Sequence, residues 1–277
     1  MYKTSLLSCT ATAAIILFNI QFSAHAETLV VSEGKQQEVS DKTYETIHAK
    51  DGGKIIGKHL TIVTNKDTDI YAVTADGLGS AITLLQDTAI KGTDFDIRLG
   101  LNAKDGATIK MTGGIITVSE IGAFFENSMN DKNKLEGVTI SSGKDGHFMD
   151  KGINADNKSK VTLENVTVTQ ANTSIFANDH SEVTILGGEF DGELKGISAT
   201  EGSAITLTYS ELADNKKGSV QVTSSHGDGL YANGAQSTIT MIGGSVTGEN
   251  TALLAENGGH IDVTDVTLKK MAPESVQ

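Results

Sequence analysis

One phrase recurs along almost the whole chain, and this repetition is the strongest constraint on the fold. The copy at residues 175–192 reads IFANDHSEVTILGGEFDG: an apolar residue and an Ala, a polar turn, an alternating apolar–polar run and a Gly pair. Related phrases begin at Ile47, Val73, Leu101, Ile121, Ile153, Ile197, Leu230 and Leu253. A recurring unit that tolerates insertions is typical of a solenoid, in which neighbouring units bury each other's apolar faces.

The Ala of each phrase measures the spacing of the units. These alanines are Ala49, Ala75, Ala103, Ala123, Ala155, Ala177, Ala199, Ala232 and Ala255, and the steps between them range from 20 to 33 residues. Each unit holds two or three runs of period two between Asn, Asp, Gly and Lys turns, which indicates short strands. The predicted fold class is all-β: a right-handed, single-stranded parallel β-helix of about nine rungs, about 40 Å long at about 4.8 Å per rung.

The chain divides into three segments. Residues 1–26 are predicted to be a signal peptide, with an apolar run after Lys3 and an A-x-A cleavage site formed by Ala24 and Ala26 before Glu27. Residues 27–270 form the predicted β-helix, and its first strand or N-terminal cap begins near Thr28. Residues 271–277 contain the single Pro and are predicted to be a disordered or shortened tail.

Charge and cysteine content exclude some classes of function. The formal net charge is -13, and Arg98 is the single Arg, so no basic stripe is available for nucleic acid. The single Cys, Cys9, lies in the signal segment, so the mature chain has no disulfides and relies on its core and strand ladders. We expect export by the signal peptide and no membrane insertion of the mature chain.

Catalytic and metal-binding motifs are sparse. The best acid clusters are Asp145 and Asp150 near His147, and His226 with Asp228; each is a single group in a Gly-rich loop. The seven His residues lack metal-ligand spacing. We therefore predict no enzyme activity, no cofactor and no metal site.

Recurring Gly and Asn residues are predicted to be structural. The Gly pairs at 113–114, 187–188 and 243–244 are expected to form turns or points of close packing. Two roles are open for Asn102, Asn154, Asn178 and Asn233: left-handed turn geometry, or side-chain hydrogen bonds between rungs.

Two irregular regions interrupt the repeat and are candidates for partner binding, since loops on a rigid scaffold often carry function. The first combines residues 127–134 with 141–151, and the second covers residues 209–229. The alternative, given equal weight, is that both regions are surface loops without a binding role. The candidate contact residues are Asn127, Lys134, Lys144, His147, Lys216, Lys217, His226 and Asp228.

The sequence resembles the passenger domains of bacterial autotransporters. The phrases ANDHSEVTILGGEFDG and ANGAQSTITMIGGSVTG are similar to pertactin-like rungs, and the resemblance covers roughly residues 27–270. It is strongest for passengers of vasoproliferative intracellular pathogens, which include inducible autotransporters and a secreted angiogenic factor. The resemblance implies a secreted or surface-exposed virulence factor whose partner is a host cell-surface protein or receptor. It also implies an outer-membrane translocator, which these 277 residues do not contain.

Three functional hypotheses follow. The first is a non-catalytic adhesin or host-receptor ligand. The second is a carbohydrate-active β-helix enzyme, a polysaccharide lyase or hydrolase. The third is a structural spacer from a truncated autotransporter.

Overall fold

The computed structural model describes residues 27–64, 71–91, 98–143, 146–211 and 217–271. In these residues all regular secondary structure is β, and 25 of the 27 strands belong to one continuous parallel sheet. This sheet coils into a solenoid, so the predicted parallel β-helix is confirmed. Ala24, Ala26 and residues 272–277 lie outside the described residues. No helix in the described part is long and apolar enough to cross a membrane.

The coiled sheet has three faces, which we call sheets A, B and C. Sheet A contains β1 (Glu27–Val31), β3 (Thr43–Lys50), β6 (Val73–Asp76), β9 (Leu99–Lys104), β12 (Ile121–Glu126), β15 (Met149–Asp156), β22 (Asp228–Asn233) and β25 (Thr251–Glu256). Sheet B contains β2 (Gln36–Ser40), β4 (Lys54–Lys58), β7 (Ala81–Leu85), β10 (Thr108–Thr112), β13 (Lys134–Glu136), β18 (Ala204–Thr208), β23 (Thr238–Ile242) and β26 (His260–Thr264). Sheet C contains β5 (Thr61–Ile62), β8 (Ala89–Lys91), β11 (Ile115–Val118), β14 (Thr139–Ser142), β21 (Val220–Ser224), β24 (Ser245–Gly248) and β27 (Thr267–Lys270).

Two long strands in the middle of the chain run through all three sheets. They are β16 (Lys160–Ala177) and β17 (Glu182–Thr200), which pair along most of their length. The first strand, β1, pairs in parallel with β3, which confirms the predicted strand at the N-terminal end. The remaining pair, β19 (Ser210–Glu211) and β20 (Lys217–Gly218), is antiparallel and separate from the coil.

The alanine spacing holds except in one rung. Strand pairing aligns Phe125 with both Ala103 and Ala155, whereas Ala123 aligns with Leu101 and Ile153. Ala123 was therefore the wrong marker, because this rung exchanges the positions of its large and small inward residues. Both Phe125 and Ala123 are fully buried.

A column of buried serines, which the sequence reading missed, closes the turn between sheets A and B. The Ser159 amide donates to the Ser181 hydroxyl at 3.1 Å, and the Ser181 amide donates to the Ser203 hydroxyl at 3.0 Å. All three residues are fully buried. Each hydroxyl thus accepts from a buried amide of the preceding rung, which would otherwise lack a partner. A Ser directly before the alternating run in SEV, SAI and STI was the visible signal.

The Gly residues act at points of close packing. Gly188 has a φ of 118°, and a Cβ there would overlap the carbonyl oxygen of Val166 in the rung below. This agrees with the prediction that the Gly pairs are turns or close contacts, and all six members have positive φ. Gly152, which precedes the inward Ile153, has no room for a Cβ next to the Val168 side chain and the Ser174 carbonyl.

The recurring Asn residues do not adopt left-handed geometry. None of the four has positive φ; in the turn around Asn178 it is Asp179 and His180 that do, at 46° and 60°. Asn178 instead donates to Asp156 at 3.1 Å and accepts from Thr200 at 2.7 Å, both in neighbouring rungs. The inter-rung alternative is therefore correct for Asn178. It is also correct for Asn233, whose Oδ1 accepts from Asn257 at 2.7 Å.

The irregular regions are smaller than the sequence predicts. Val220–Ser224 is the regular strand β21, paired on both sides, and Asp228 begins β22. The part of the second region before β21 is therefore limited to residues 209–219, of which 212–216 lie outside the described residues. Residues 127–134 are built into the stack: Asn133 is 1% exposed and accepts from the Ile109 amide at 2.9 Å. Most of that turn is therefore structural.

Candidate functional site

The outer face of sheet A carries one continuous column of side chains, which we call the sheet A stripe. Each member stands between two inward residues of its strand, so alternation directs it outward. The pairing places the following residues in successive rungs: His48, Thr74, Asn102, Phe124, Asn154, Phe176, Ser198 and Tyr231. From Asn102 to Tyr231 a polar residue and an aromatic residue alternate strictly, and the next outward residue, Leu254, which aligns with Tyr231, is apolar. Since strands lie about 4.8 Å apart, each kind repeats about every 10 Å along the solenoid.

Side chains from the start of sheet A strands lean over the aromatic rings. The Lys151 ammonium lies 5.2 Å from the centroid of Phe176, and the Lys195 ammonium lies 3.6 Å from that of Tyr231. The rings of Tyr71 and Phe124 are 6.2 Å apart, tilted by 31°. These cation–π and aromatic contacts fix the rings in place at a half-exposed surface.

The electrostatics of the stripe are shaped by partial burial. Burial lowers the pKa of Lys195, although Asp228 and Glu256 oppose this shift. Burial raises the pKa of Tyr231, and its 3.0 Å hydrogen bond to Glu256 adds to the effect. The Lys195 side chain therefore lies between an aromatic face and two carboxylates, those of Asp228 and Glu256.

The stripe also concentrates polar atoms that lack partners. Among the described residues, five buried side-chain atoms have no hydrogen-bond partner, and four of them belong to the stripe: His48 Nε2, Asn102 Oδ1, Asn154 Oδ1 and Ser198 Oγ. Asn102 and Asn154 are 6% and 8% exposed. A buried polar group without a partner is costly, so several in one column mark a place where stability is not the sole constraint.

The residues predicted for partner binding do not converge. Asn127 donates to Asp105 at 3.0 Å, and Lys134 contacts Glu136 at 2.9 Å and Glu164 at 2.7 Å, which raises its pKa. His147 is exposed. Lys144 and Lys216 lie outside the described residues, and the backbone of Lys217 lies in β20.

The acid clusters are likewise separated into local contacts. His226 Nδ1 lies 3.7 Å from a Glu193 carboxylate oxygen, and Asp228 accepts from Thr251 at 3.0 Å, so this pair does not act together. Asp150 forms an exposed ion pair with Lys151 at 2.8 Å. Asp145 lies outside the described residues. Two of the predicted acidic residues border the stripe: Asp228 through its effect on Lys195, and Asp150 through its ion pair with Lys151, which lies over Phe176.

Sequence reading missed the stripe because it followed the inward residues. The signal was the variable residue before each marker alanine, as in LNA, INA, IFA, ISA and LYA. These letters appear unrelated along the chain and become a pattern only when the rungs are stacked.

Comparison with known proteins identifies a family. No curated protein and no solved structure is significantly similar to the chain. Residues 58–251, more than half of the 277-residue chain, match the family described as periplasmic copper-binding protein (NosD). This segment runs from the end of β4 to the start of β25 and includes the stripe from Thr74 to Tyr231. The chain therefore belongs to the NosD family.

Proposed function

We propose that this exported β-helix protein is a non-catalytic binding protein, an adhesin or host-receptor ligand, and that the sheet A stripe is its contact surface. The observation that carries the proposal is the row of half-exposed, fixed aromatic rings along one face, with unpartnered polar atoms buried between them. Aromatic residues are enriched at the centres of protein interfaces, where they supply much of the binding energy. The family is described as periplasmic, which agrees with export by the predicted signal peptide.

Copper binding, which the family description names, does not fit the described residues. Copper sites use His, Cys and Met ligands that converge on one point. Within the described ranges no three side chains of His, Cys, Asp or Glu come together, and Met111, Met149 and Met241 are buried in the apolar core. His59, His180 and His226 each lie beside a single carboxylate on different rungs. We therefore assign no copper-dependent step to this chain.

Binding is favoured over catalysis by the contacts of the acidic residues. A β-helix lyase or hydrolase needs carboxylates that converge on a bound sugar. Asp150 and Asp228, the best candidates, each have a separate surface partner. The proposed partner is a host cell-surface protein, and the proposed route is delivery as an autotransporter-like passenger to the cell surface or the medium.

The proposal is tested by binding of residues 27–277 to endothelial and epithelial cells, with receptor phosphorylation as a second readout. Phe176→Ala with Tyr231→Ala removes two rings of the stripe. Ile115→Ala with Ile242→Ala is the matched control, since these exposed apolar residues, 46% and 44% exposed, lie elsewhere on the surface. We expect half-saturation to weaken at least about tenfold for the stripe variant, as for a hot-spot pair, and to be unchanged for the control.

A third variant separates the stripe from the excursion. Residues 209–219 are replaced by a short turn, which leaves strand β21 intact. Loss of attachment in this variant alone would move the site to the excursion, and absence of attachment by the wild type would refute the binding function. Phosphorylation with attachment identifies a receptor ligand, whereas attachment without phosphorylation identifies an adhesin.

A further inference from the structure

A polar cavity of about 470 Å³ opens on the outer face of sheet B, away from the stripe. Its floor is Ala81, which the register places between Lys54 and Thr108. The short Ala side chain leaves a depression between two longer neighbours. Lys110 and Lys132 form further walls.

The charge of this cavity is opposite to that of the chain. Lys54, Lys110 and Lys132 line it, and no Asp or Glu does. The chain carries 35 acidic against 22 basic residues, so three lysines together without an acid are unusual for it. Lys104, Lys134 and Lys160 have carboxylate partners, whereas Lys54, Lys110 and Lys132, like several other lysines, form no ion pair with a described residue.

The wall that carries Lys132 is anchored. Asn130 Nδ2 donates to the Ala107 carbonyl at 2.9 Å, and its Oδ1 accepts from the Thr108 hydroxyl and the Lys132 amide, each at 3.1 Å. These bonds hold the turn on the rung below it. The root of the Lys132 side chain is therefore fixed relative to Lys110, which reduces the ordering cost of binding an anion between them.

We propose that this cavity binds an anionic sugar residue, carboxylated or sulfated, of an acidic polysaccharide. The three ammonium groups meet the anion. Thr83 and Thr108 also line this space. The Thr83 hydroxyl can donate to and accept from sugar hydroxyls, whereas the Thr108 hydroxyl, which donates to Asn130 Oδ1, can accept from them. Leu78, which is 86% exposed at the rim, offers an apolar contact for the face of a sugar ring.

Two observations favour a saccharide over other anions. The volume is several times that of a lone sulfate or phosphate, and it suits a sugar residue. An acidic peptide is less suited, because peptides gain affinity by pairing their backbone with a free strand edge. Here β4, β7 and β10 are paired to one another through the cavity floor and present no free edge.

The test measures binding of residues 27–277 by calorimetry to a heparin-type sulfated oligosaccharide and to an oligogalacturonate, which separates the two anions. The pocket variant is K54Q/K110Q/K132Q. Its control, K42Q/K91Q/K270Q, makes the same charge change at exposed lysines outside the cavity. Ala81→Leu fills the depression without changing charge.

We expect the pocket variant to bind at least one of the two oligosaccharides about 10- to 100-fold more weakly than wild type, from three partly exposed charge contacts. Ala81→Leu should weaken it about tenfold, by displacing the sugar, and the control should change little. Equal loss in both triple variants would overturn the site in favour of diffuse charge attraction, and absence of binding would overturn it altogether. If inorganic sulfate binds as tightly as the oligosaccharides, the cavity is a small-anion site and the saccharide proposal is overturned. If poly-glutamate binds as tightly as the oligosaccharides, the ligand is an acidic peptide and the proposal is likewise overturned. Neither result affects the stripe, because the cell-binding test uses different variants.

Discussion

Phe125→Ala is the sharpest test of the rung alignment. The repeat has Ala at this position in the neighbouring rungs, so a reading by consensus expects the change to be neutral or stabilising. The structure predicts the opposite. Phe125 is fully buried between Ala103 and Ala155 of the neighbouring rungs. The other inward residue beside it in its own strand, Ala123, is also small. None of these three alanines can fill the cavity that loss of the Phe125 ring would leave. A Phe-to-Ala change in such a core costs about 3–5 kcal/mol of the free energy of unfolding.

The second variant reverses the exchange. Ala123→Leu alone adds volume beside Phe125 and should cost about 1–3 kcal/mol by overpacking. Together with Phe125→Ala it restores the large-then-small order of the neighbouring rungs, Leu101 before Ala103 and Ile153 before Ala155. The double variant should therefore be more stable than either single variant. This non-additivity is expected of residues in contact.

The assay is guanidinium denaturation of residues 27–277, followed by circular dichroism, with hydrogen exchange of the β12 amides as a local readout. Hydrogen exchange matters because solenoids can open rung by rung. A cost below about 1 kcal/mol for Phe125→Ala would contradict the cavity argument. A double variant no more stable than the more stable of the two single variants would refute the alignment.

Two further predictions concern the serine column and the stripe. Ser181→Ala should lower the free energy of unfolding by about 1–3 kcal/mol, because it leaves the buried Ser159 amide without a partner. Thr184→Ala, on the exposed face of the same strand, is the control in denaturation. Equally small losses of stability in the two variants would contradict the role of the serine column. Burial lowers the pKa of His48 from 6.5, more than the charge of Asp76 raises it. Below pH 6.5 His48 takes up a proton more readily in the unfolded chain than in the folded chain. The free energy of unfolding should therefore fall as the pH drops below 6.5. His48→Thr should reduce this loss between about pH 7.5 and 5.5, and identical pH profiles of the midpoint would refute it.

The fold could be predicted because its cause is local and repeated. Period-two runs separated by polar turns specify strands, and their recurrence specifies stacking. The sequence alignment of the rungs was wrong at Ala123 because it matched the residue type, Ala, from rung to rung. Close packing instead constrains the summed volume of the inward side chains of a rung. A rung with Ala123 before Phe125 still supplies one large and one small inward residue, as does the rung with Ile153 before Ala155.

The predicted bounds of the second irregular region were wrong for a different reason. Residues 209–219 are polar and irregular, and the strand that follows, VQVTS, was assigned to the same excursion. Its alternation was present, but the insertion shifted it from its expected place. The strand is fixed by pairing with β17 and β24, which lie far from it in sequence.

Both binding surfaces depend on the register between rungs, which loop lengths determine and local patterns do not reveal. Lys54 and Lys110 are 56 residues apart, yet they line one cavity because two steps of the coil place them there. The sequence contains many other lysines, and what distinguishes these is the small Ala81 between them and the absence of a carboxylate. Outward positions are free of the core's demand for apolar volume, so they vary without period along the chain. In a solenoid the functional pattern therefore runs along the axis, across rungs, and each outward column has to be read as if it were a sequence of its own.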